Sequence, residues 1–307
     1  MANDLEEISL LELLQDLFPD EAAARQWFED QLWPDGRTCP RCKSNRTNPV
    51  PNERPMPYHC MDCRTYFSLR TNTALERSKV PLRKWAITIY LCATSPKGIS
   101  SLHVHRIIGV PQKTAWFMLH RIREAWDVEP APLEGQVEVD EAYFGGREKN
   151  KHANKKLRAG RGGVGKTPVV GVVERNTKQV QAQVVSRVDK ATLHGFIESR
   201  VWPGSDVFTD ELASYKGLAG YWHASISHGS GEYVRGSVHT NGIESFWSLL
   251  KRAHKGTFHY MSPKHLQRYV NEFAGRHNLR GRDALDQIGA IAEGLAGHRL
   301  TYRELIA

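Results

Sequence analysis

Apolar residues recur at helical spacing over much of the first half of the chain. PLRKWAITIYLCAT places Trp85, Ile89 and Cys92 on one side of a predicted helix. ISSLHVHRIIGV and PQKTAWFMLHRIREAW predict two more helices, with a turn at Gly109 between them and Pro111 opening the second. A short helix, a turn and a second helix form the pattern of a DNA-binding helix-turn-helix, although three-helix units also serve as plain packing domains.

The spacing changes after Pro132, where short alternating and β-branched runs predict strands. QVEVDEAYFGG predicts a strand ending in two carboxylates, Asp140 and Glu141, and PVVGVVERN with KQVQAQVVSRVD predicts a hairpin. DVFTDE predicts a fourth short strand that ends in acid at Asp210, and HASISHG is a candidate for a fifth. Predicted helices follow over KATLHGFIESRV, HTNGIESFWSLLKRAHKG and YMSPKHLQRYVNEFAGRHN. This order predicts an α/β domain with a mixed sheet and flanking helices.

Charge adds a preference for a polyanionic partner. The 307 residues carry a formal net charge of +8, and a basic surplus favours phosphate backbones because neutralised phosphates release counterions. Part of the surplus is a run of lysines and arginines between residues 146 and 166, which in isolation is also typical of a solvated loop. No apolar segment approaches the ~20 residues needed to cross a bilayer, and the acidic N-terminus does not have the pattern of a secretory signal. We therefore expect a cytoplasmic protein whose thiols stay reduced.

Four of the five cysteines lie in two C-x2-C pairs, Cys39 with Cys42 in CPRC and Cys60 with Cys63 in CMDC. Two such knuckles can place four thiolates around one tetrahedral ion, and this spacing is typical of a structural zinc ribbon. The segment is too short and too polar to form a core unaided, so we expect bound Zn²⁺ to supply much of its folding free energy. Four thiolates leave no open position on the ion, which argues against a catalytic zinc.

Acidic residues also mark three of the elements predicted for the second half. Asp140 and Asp210 end strands, and Glu244 lies on a late helix. Carboxylates that converge from two strand ends and a helix can hold two divalent cations, Mg²⁺ or Mn²⁺, which prefer oxygen ligands. Two such ions activate the attacking oxygen and stabilise the leaving oxygen on a phosphodiester. Glu141 and Glu211 adjoin two of these acids, and alternation along a strand predicts that they point to the opposite side as helpers or structural residues.

Five blocks of the chain stand out together: WPDGRTCPRC, VDEAYFGG, GKTPVVGVVER, FTDELASY and HTNGIESFWSLLKRAHKGTFHYMSPKHLQRYVNEFAGRHN. Together they resemble the DDE transposases of bacterial insertion sequences, in the group with an N-terminal zinc ribbon. The resemblance implies a ribonuclease-H-like catalytic domain that hydrolyses a phosphodiester at each transposon end and transfers the freed 3′-hydroxyl into target DNA. It implies double-stranded DNA as the partner and location on the nucleoid when bound to DNA. Because two ends are joined, it also implies a homodimer or larger assembly on DNA.

The resemblance assigns roles to individual residues. It implies Asp140 and Asp210 as the first two metal-binding carboxylates. The third ligand stays open between Glu244 and Asn241, which lies one turn before it and offers an uncharged amide oxygen. Lys251 follows Glu244 by seven residues on the same helix face, where its charge can hold a DNA phosphate.

Further residues are candidates for DNA contact. The helix after Gly109 presents Gln112, Lys113 and Thr114 at its N-terminal end, where a recognition helix meets base edges. Arg121 and Arg123 are expected to reach phosphates further along. Other candidates are cations of the basic run and of the late helices: Lys155, Lys156, Arg158, Lys251 and Arg252. Two more, Arg276 and His277, are expected to face either DNA or solvent.

These interpretations divide the chain into five segments. They are an N-terminal helical segment (1–36), a zinc ribbon (37–72), a helix-turn-helix-like domain (78–130), a ribonuclease-H-like DDE catalytic domain (133–280) and a C-terminal helix and tail (281–307).

Two other functions compete with the transposase. A catalytically inactive DNA-binding regulator derived from one needs only the ribbon and the helix-turn-helix, and the presence of the acids and Lys251 argues against it. GRGGVGKT, from Gly160 to Thr167, matches the pattern of a nucleotide-binding loop. The residues before it are too charged for a buried strand, and PVVGVVER after it predicts a strand where that loop requires a helix. We therefore expect no nucleotide site there.

Overall fold

The computed structural model describes residues 8–127, 129–146, 150–157, 163–227 and 234–307. The predicted DNA-binding residue Arg158 lies outside these residues, as does the side chain of Lys155. The chain forms two units, one from Met1–Val128 with Arg280–Ala307 and the other from Glu129–Leu279. None of the helices in the described ranges is both long and apolar enough to cross a membrane.

The first unit is mainly helical. Its helices are α1 (Leu10–Glu12), continued by a π-helical turn (Leu13–Leu17), α2 (Glu21–Leu32), α3 (Leu82–Thr94), α4 (Ser101–Ile108), α5 (Gln112–Glu124), α9 (Ala284–Glu293) and α10 (Tyr302–Ile306). Its three short strands are β1 (Thr47–Pro49), β2 (Tyr58–Cys60) and β3 (Tyr66–Phe67). They pair antiparallel in the order β1-β2-β3.

Local signals at the helix ends determine several of these bounds. The Asp20 carboxylate caps α2 by accepting a hydrogen bond from the N–H of Ala23 at 2.8 Å. Gly109 ends α4 with φ of 63°, a left-handed conformation that glycine adopts without a steric penalty. Pro111 directly precedes α5. The predicted helices on either side of the Gly109 turn are therefore confirmed.

The core of the first unit is built on α3. Trp85, Ile89 and Cys92 are all buried in one cluster, as the helical spacing predicts. Ile288 and Ile291 of α9 belong to the same cluster. The C-terminal segment therefore completes the core of the first unit.

Arg121 and Arg123 on α5 do not face solvent, and the prediction that they reach phosphates is wrong. Arg121 is 6% exposed and Arg123 is 2% exposed. The Arg121 guanidinium donates hydrogen bonds to the carbonyls of Leu300 at 3.1 Å and Glu76 at 2.8 Å, and it lies over the ring of Phe117. This face of α5 packs inward, and the charge of Arg121 helps to hold the unit together.

The second unit is a five-stranded mixed sheet with the order β6-β5-β4-β7-β8. Its strands are β4 (Gln136–Phe144), β5 (Thr167–Glu174), β6 (Val180–Val184), β7 (Asp206–Thr209) and β8 (Trp222–Ser225). Its helices are α6 (Lys190–Arg200), α7 (Asn241–Ala253), continued by a π-helical turn (His254–Phe258), and α8 (Leu266–Leu279). The pairs β4–β5 and β5–β6 are antiparallel, whereas β4–β7 and β7–β8 are parallel. The predicted α/β class and the predicted hairpin are confirmed.

Both faces of this sheet are buried. On β5, Val172 lies in the cluster that contains α6, whereas Val169 and Val173 lie in the cluster that contains α7 and α8. Gly171 faces α7, and a Cβ at this position would lie 2.7 Å from the ring of Trp247. Because glycine has no side chain, α7 packs directly on the middle of the sheet.

Candidate functional site

Asp140 lies in the middle of β4, which corrects the prediction that the strand ends there. β4 pairs with β5 along nearly its whole length, but its pairing with β7 stops at Glu138 and Phe208. Asp140 and Asp210 each lie two residues beyond this last pair. Because β7 ends first, one edge of β4 is unpaired at Asp140, and Asp210 follows the end of β7 at the same level.

Three carboxylates meet at this open edge. Asp140, Glu141 and Asp210 each bring one oxygen into a group whose members all lie within 4.8 Å of one another. Alternation predicts the opposite side for Glu141, and its carboxylate does accept a hydrogen bond from the hydroxyl of Tyr215, at 3.0 Å, in the cluster that contains α6. It joins the group nevertheless, because on the β7 side no strand pairs with β4 at this level to separate the two faces. Sequence reasoning therefore missed Glu141 as a candidate ligand.

The proximity of these acids changes their protonation. Burial, and then the charge of Asp210, raise the pKa of Asp140 to about 6, with Glu244 adding to the increase and Lys251 opposing it. Burial, and then the charges of Asp210 and Asp140, raise the pKa of Glu141 to about 7. Clustered carboxylates with raised pKa values repel one another when ionised, and a divalent cation relieves that repulsion. The donor set of three carboxylate oxygens fits a hard ion such as Mg²⁺ or Mn²⁺.

Glu244 and Lys251 share an open cleft with Asp140. The cleft has a volume of about 550 Å³ and is lined by Asp140, Glu244, Trp247, Ser248, Lys251, Arg252 and Lys255. Glu244 is exposed and accepts a hydrogen bond from the hydroxyl of Thr240 at 3.1 Å, but it lies outside the group of three oxygens. Asn241, the exposed first residue of α7, is not among the described residues that line the cleft.

A third acid on β4, Glu138, holds the N-terminus of α7. This residue is 2% exposed, and its Oε2 accepts hydrogen bonds from the N–H groups of Gly242 at 2.7 Å and Ile243 at 3.2 Å. Its Oε1 accepts a hydrogen bond from Arg175 Nε at 2.8 Å. A carboxylate is stabilised at a helix N-terminus by the free N–H groups and the helix dipole. Because Asp140 lies two residues along the same face of β4, this contact fixes α7 beside it.

We expect Glu138→Gln to lower the free energy of unfolding by about 3 kcal/mol, because it leaves the charge of Arg175 largely buried without its partner. Arg175 is 12% exposed at its side chain and Glu138 is 2% exposed, so solvent screens the pair little. Chemical denaturation measures the loss, with Glu134→Gln at an exposed loop position as the matched control. A loss below about 0.5 kcal/mol, the usual size for a surface substitution, contradicts this account.

The four ribbon cysteines converge as the sequence predicts. Cys39 and Cys63 bring their Sγ atoms to 3.6 Å, as do Cys42 and Cys60, and all four sulfurs lie within 4.8 Å of one another. A tetrahedral ion with Zn–S bonds of about 2.3 Å requires sulfurs about 3.8 Å apart. The arrangement therefore fits a closed four-thiolate zinc site.

The two knuckles repeat one local geometry. The N–H of Cys39 donates to the carbonyl of Ser44 at 2.8 Å, and the N–H of Cys60 donates to the carbonyl of Thr65 at 2.9 Å. The hydroxyl of Thr65 lies 3.0 Å from Cys63 Sγ, and this contact, together with those of the other three cysteines, lowers the pKa of that thiol to about 6. This favours the thiolate form that binds metal.

The residues predicted to read bases lie at the first turn of α5. Gln112 and Lys113 are exposed, and Thr114 is half-buried. The Gln112 side chain donates to the hydroxyl of Ser101 at 2.7 Å, and Lys113 Nζ lies 4.6 Å from the centre of the Tyr302 ring. Both contacts are on the surface, so neither removes these side chains from solvent.

On α8 the prediction that Arg276 faces DNA or solvent is wrong, whereas His277 is half-buried and its prediction stays open. The Arg276 side chain is 10% exposed, lies 3.8 Å from Glu272 and packs over Phe273. His277 packs edge-on against the ring of Phe246. Arg276 therefore packs along its own helix, and His277 contacts α7.

A strand follows GRGGVGKT, as predicted. Thr167 begins β5, whereas a nucleotide-binding loop opens a helix at this point. Residues 160–162 lie outside the described ranges, and residues 163–166 form a turn. Gly163 lies so close to the ring of Tyr143 on β4 that a Cβ would come within 2.6 Å of it. The end of this segment is therefore held against the strand that carries the acids.

Comparison with known proteins bears on both sites. Residues 132–278 match the family model of the ISXO2-like transposase domain, and residues 19–66 match that of a transposase zinc-ribbon domain. The chain is 29% identical over 289 residues to an uncharacterized protein in transposable element ISH50 of Halobacterium salinarum, covering 88% of this chain and 96% of that protein. It is 34% identical over 102 residues to an uncharacterized transposase-like protein of Haemophilus influenzae, covering 33% of this chain and 81% of that protein.

One solved structure with a weaker likeness is a simian T-cell lymphotropic virus intasome in complex with PP2A regulatory subunit B56 gamma. It is 12% identical with a TM-score of 0.28 and covers 57% of this chain and 67% of its own. This TM-score supports no conclusion about the fold. The two family models, by contrast, span the four ribbon cysteines and every strand of the second unit. The chain thus belongs to the DDE transposases of insertion sequences that carry a zinc ribbon.

Proposed function

We propose that this transposase binds the ends of its insertion sequence, hydrolyses a phosphodiester at each end and joins the freed 3′-hydroxyl to target DNA. The observation that most supports this function is the group formed by Asp140, Glu141 and Asp210. The group adjoins a cleft that also contains Glu244 and Lys251. Acids and cations side by side suit a reaction in which the substrate is a negatively charged backbone.

Asp140 and Asp210 are the proposed ligands of two divalent cations, with Glu244 or Asn241 as the third ligand and Glu141 beside them. Such ions, when bound, activate the attacking oxygen and stabilise the leaving oxygen of an in-line displacement. The chain itself holds the carboxylates together in a partly desolvated position, where each carboxylate, once deprotonated, gains by pairing with a cation. Displacement at phosphorus needs no covalent enzyme intermediate, so the proposed role of these carboxylates is to position the cations and not to act as nucleophiles.

Lys251 and Arg252 on α7, with Lys255 in the following turn, are the proposed phosphate contacts of the active site. All three line the cleft that contains Asp140. Charge-assisted hydrogen bonds from these side chains orient the scissile strand over the carboxylates. Lys155, Lys156 and Arg158 are proposed as further backbone contacts, and Lys156 is exposed.

We also propose a ribonuclease-H-like fold for the sheet unit and a helix-turn-helix for α4 and α5. Three antiparallel strands followed by two parallel ones, with helices on both faces, support the first. The left-handed turn at Gly109 and the exposure of Gln112 and Lys113, which with Thr114 form the proposed base contacts, support the second. The division into 1–36, 37–72, 78–130, 133–280 and 281–307 stays a prediction, as does a homodimer or larger assembly on double-stranded DNA.

The test is cleavage of a labelled duplex that carries one end of the element. We expect the wild-type protein to cut one strand only when Mg²⁺ or Mn²⁺ is present. Binding to the same duplex is measured in parallel without metal. A protein that binds the end but never cuts it, with either ion, is a regulator and not an active transposase.

The third ligand is resolved by two substitutions on α7. We expect Glu244→Gln to reduce cleavage by about 10²-fold, because it removes a charge that faces the same cleft as Asp140. Asn241→Ala is expected to reduce cleavage less than about tenfold, because Asn241 does not line the described cleft. The opposite order of the two effects assigns the third position to Asn241.

The raised pKa values predict a pH dependence for the metal-free protein. The folded-state pKa of Asp140, about 6, and of Glu141, about 7, lie above their ordinary values. The neutral forms therefore stabilise the fold fully below about pH 4, and this contribution is lost as pH rises through about 6 to 7. Added Mn²⁺ competes with protons for these carboxylates, so it binds more weakly at low pH. We therefore expect Mn²⁺ to raise Tm more at about pH 7.5 than at about pH 5.5. An Mn²⁺ effect on Tm that does not change over this range argues against the site.

A further inference from the structure

The first unit contains a second basic concavity, remote in sequence from the acids. It has a volume of about 890 Å³ and extends from the zinc ribbon to the turns that follow it. The charged residues in its lining are Arg41, Arg64, Arg70, Arg77, Arg299 and Glu76. Five guanidinium groups therefore face one carboxylate. None of these arginines has a role in the function proposed above.

Two of the five arginines are engaged in holding the cavity together. Arg70 donates hydrogen bonds to two backbone carbonyls, at 3.1 and 2.9 Å. Arg299 Nε lies 3.0 Å from Glu76, and the N–H of Asn72 donates to the same carboxylate at 3.0 Å. The charge of Glu76 is therefore already compensated within the unit.

The other three arginines remain available at the surface. Arg41 and Arg64 are exposed, and neither forms a hydrogen bond or ion pair with any residue of the described ranges. Arg77 is 82% exposed at its side chain and only reaches Glu76 at 3.9 Å, a contact that contributes little in water. Three of the guanidinium groups that line the cavity are therefore not neutralised by a closely paired carboxylate.

The backbone around these residues is unusual. Within the described ranges, seven non-glycine residues have positive φ, and three of the seven line this cavity: Arg64, Asn72 and Arg77. Residues held in this sparsely populated conformation occur preferentially at sites that bind a ligand. Tyr66, 44% exposed beside them, adds an aromatic face next to the guanidinium groups.

We propose that Arg41, Arg64 and Arg77 bind the phosphate backbone of duplex DNA, as a contact separate from α5 and from the cleft at Asp140. The proposal rests on the proposed function in that the chain acts on DNA. Arginine presents several donors in a planar fork that matches phosphate oxygens, which a lysine does not. Because contacts to phosphate carry no base information, this surface is expected to hold transposon ends and unrelated duplexes alike.

The test is binding of the full-length protein to a short duplex of random sequence, followed by fluorescence anisotropy without divalent ions. The variant replaces all three arginines, Arg41→Gln, Arg64→Gln and Arg77→Gln. Each lost phosphate contact reduces the slope of log affinity against log salt by about 0.9, so we expect a decrease of about 2 to 3 between about 50 and 200 mM salt. We expect affinity at about 150 mM salt to fall at least tenfold.

A second triple variant controls for net charge. Arg54, Lys97 and Arg282 are exposed cations of the same unit that do not line the cavity, and their replacement by glutamine removes the same charge. We expect this control to change the slope by less than about 1. Zinc content and Tm are measured for both variants to detect misfolding. If the glutamine variant misfolds, a triple Arg→Lys variant, which keeps the positive charge, is tested in its place. The lysine variant is expected to keep the salt slope and lose affinity severalfold.

The outcomes separate this inference from the proposed function. A wild-type protein that binds no duplex overturns the function and the inference together. The inference alone is overturned if the wild-type protein binds duplex but the cavity variant has the same affinity and salt slope as the wild type or as the charge control. Displacement of the duplex by millimolar inorganic phosphate as effectively as by unlabelled duplex assigns the cavity to small anions and also overturns it.

Discussion

Replacing Asp140 with asparagine is expected to reduce metal-dependent cleavage of a transposon end by about 10³-fold or more. Losses of this size are typical when an enzyme loses a group that acts directly on the reacting atoms. Asparagine has nearly the same shape, so it keeps the packing on β4 but removes the charge that the proposed cations require. Asp210→Asn is expected to have the same effect, because Asp210 lies at the same level on the other side of the open edge.

Stability distinguishes this result from misfolding. Burial and neighbouring acids raise the pKa of Asp140 to about 6, so its ionised form opposes folding of the metal-free protein at neutral pH. A neutral asparagine is therefore expected to keep or raise Tm while cleavage is lost. Denaturing gels measure the cleavage, and DNA binding without metal should not change. Glu198→Gln, at an exposed position on α6, is the matched control. Cleavage by Asp140→Asn within tenfold of the wild type contradicts the proposed role.

Removing the zinc is expected to unfold the ribbon. The buried core of the ribbon contains only Cys39, Tyr58, Cys60 and Phe67, with Trp33 and Cys63 packed against it. So small a cluster does not offset the conformational entropy of the loops around it. Structural zinc in such modules supplies roughly 10–16 kcal/mol at neutral pH, enough to decide whether the module folds.

The matching experiment is Cys60→Ser, with zinc stoichiometry and limited proteolysis as the readouts. We expect less than one zinc per chain and rapid cleavage between the two knuckles. Cys92→Ser is the control, because Cys92 is buried in the core around α3 and lies outside the group of four sulfurs. It is expected to retain zinc. A Cys60→Ser protein that keeps a full complement of zinc and a protease-resistant ribbon contradicts the four-thiolate site.

Much of the local structure was predictable because its causes are local. The helical spacing of Trp85, Ile89 and Cys92 and the turn at Gly109 both depend on residues within a few positions of one another. The two C-x2-C pairs are equally local, since each knuckle closes with its own hydrogen bond. Each of these predictions is confirmed.

The errors concern charged residues whose environment is built by distant segments. Arg121 lies on a helix with a polar face, and nothing in its neighbourhood along the chain shows that the carbonyls of Glu76 and Leu300 meet its guanidinium. Glu138 is a similar case, because the helix that it anchors begins more than one hundred residues later. Its one sequence signal is its spacing of two from Asp140 on a strand with a buried face.

The sequence by itself determined the zinc module, the element types and which elements carry Asp140, Asp210 and Glu244. Only the tertiary structure decided which carboxylates meet. Glu141 joins the group because β7 ends before β4 does, and Glu244 faces Asp140 across a cleft because Gly171 and Glu138 let α7 pack close to the sheet. Periodicity along a chain reports which face of an element is buried. Contacts between segments far apart in sequence decide how long a neighbouring strand is and where a helix packs on the sheet. Periodicity does not record these contacts.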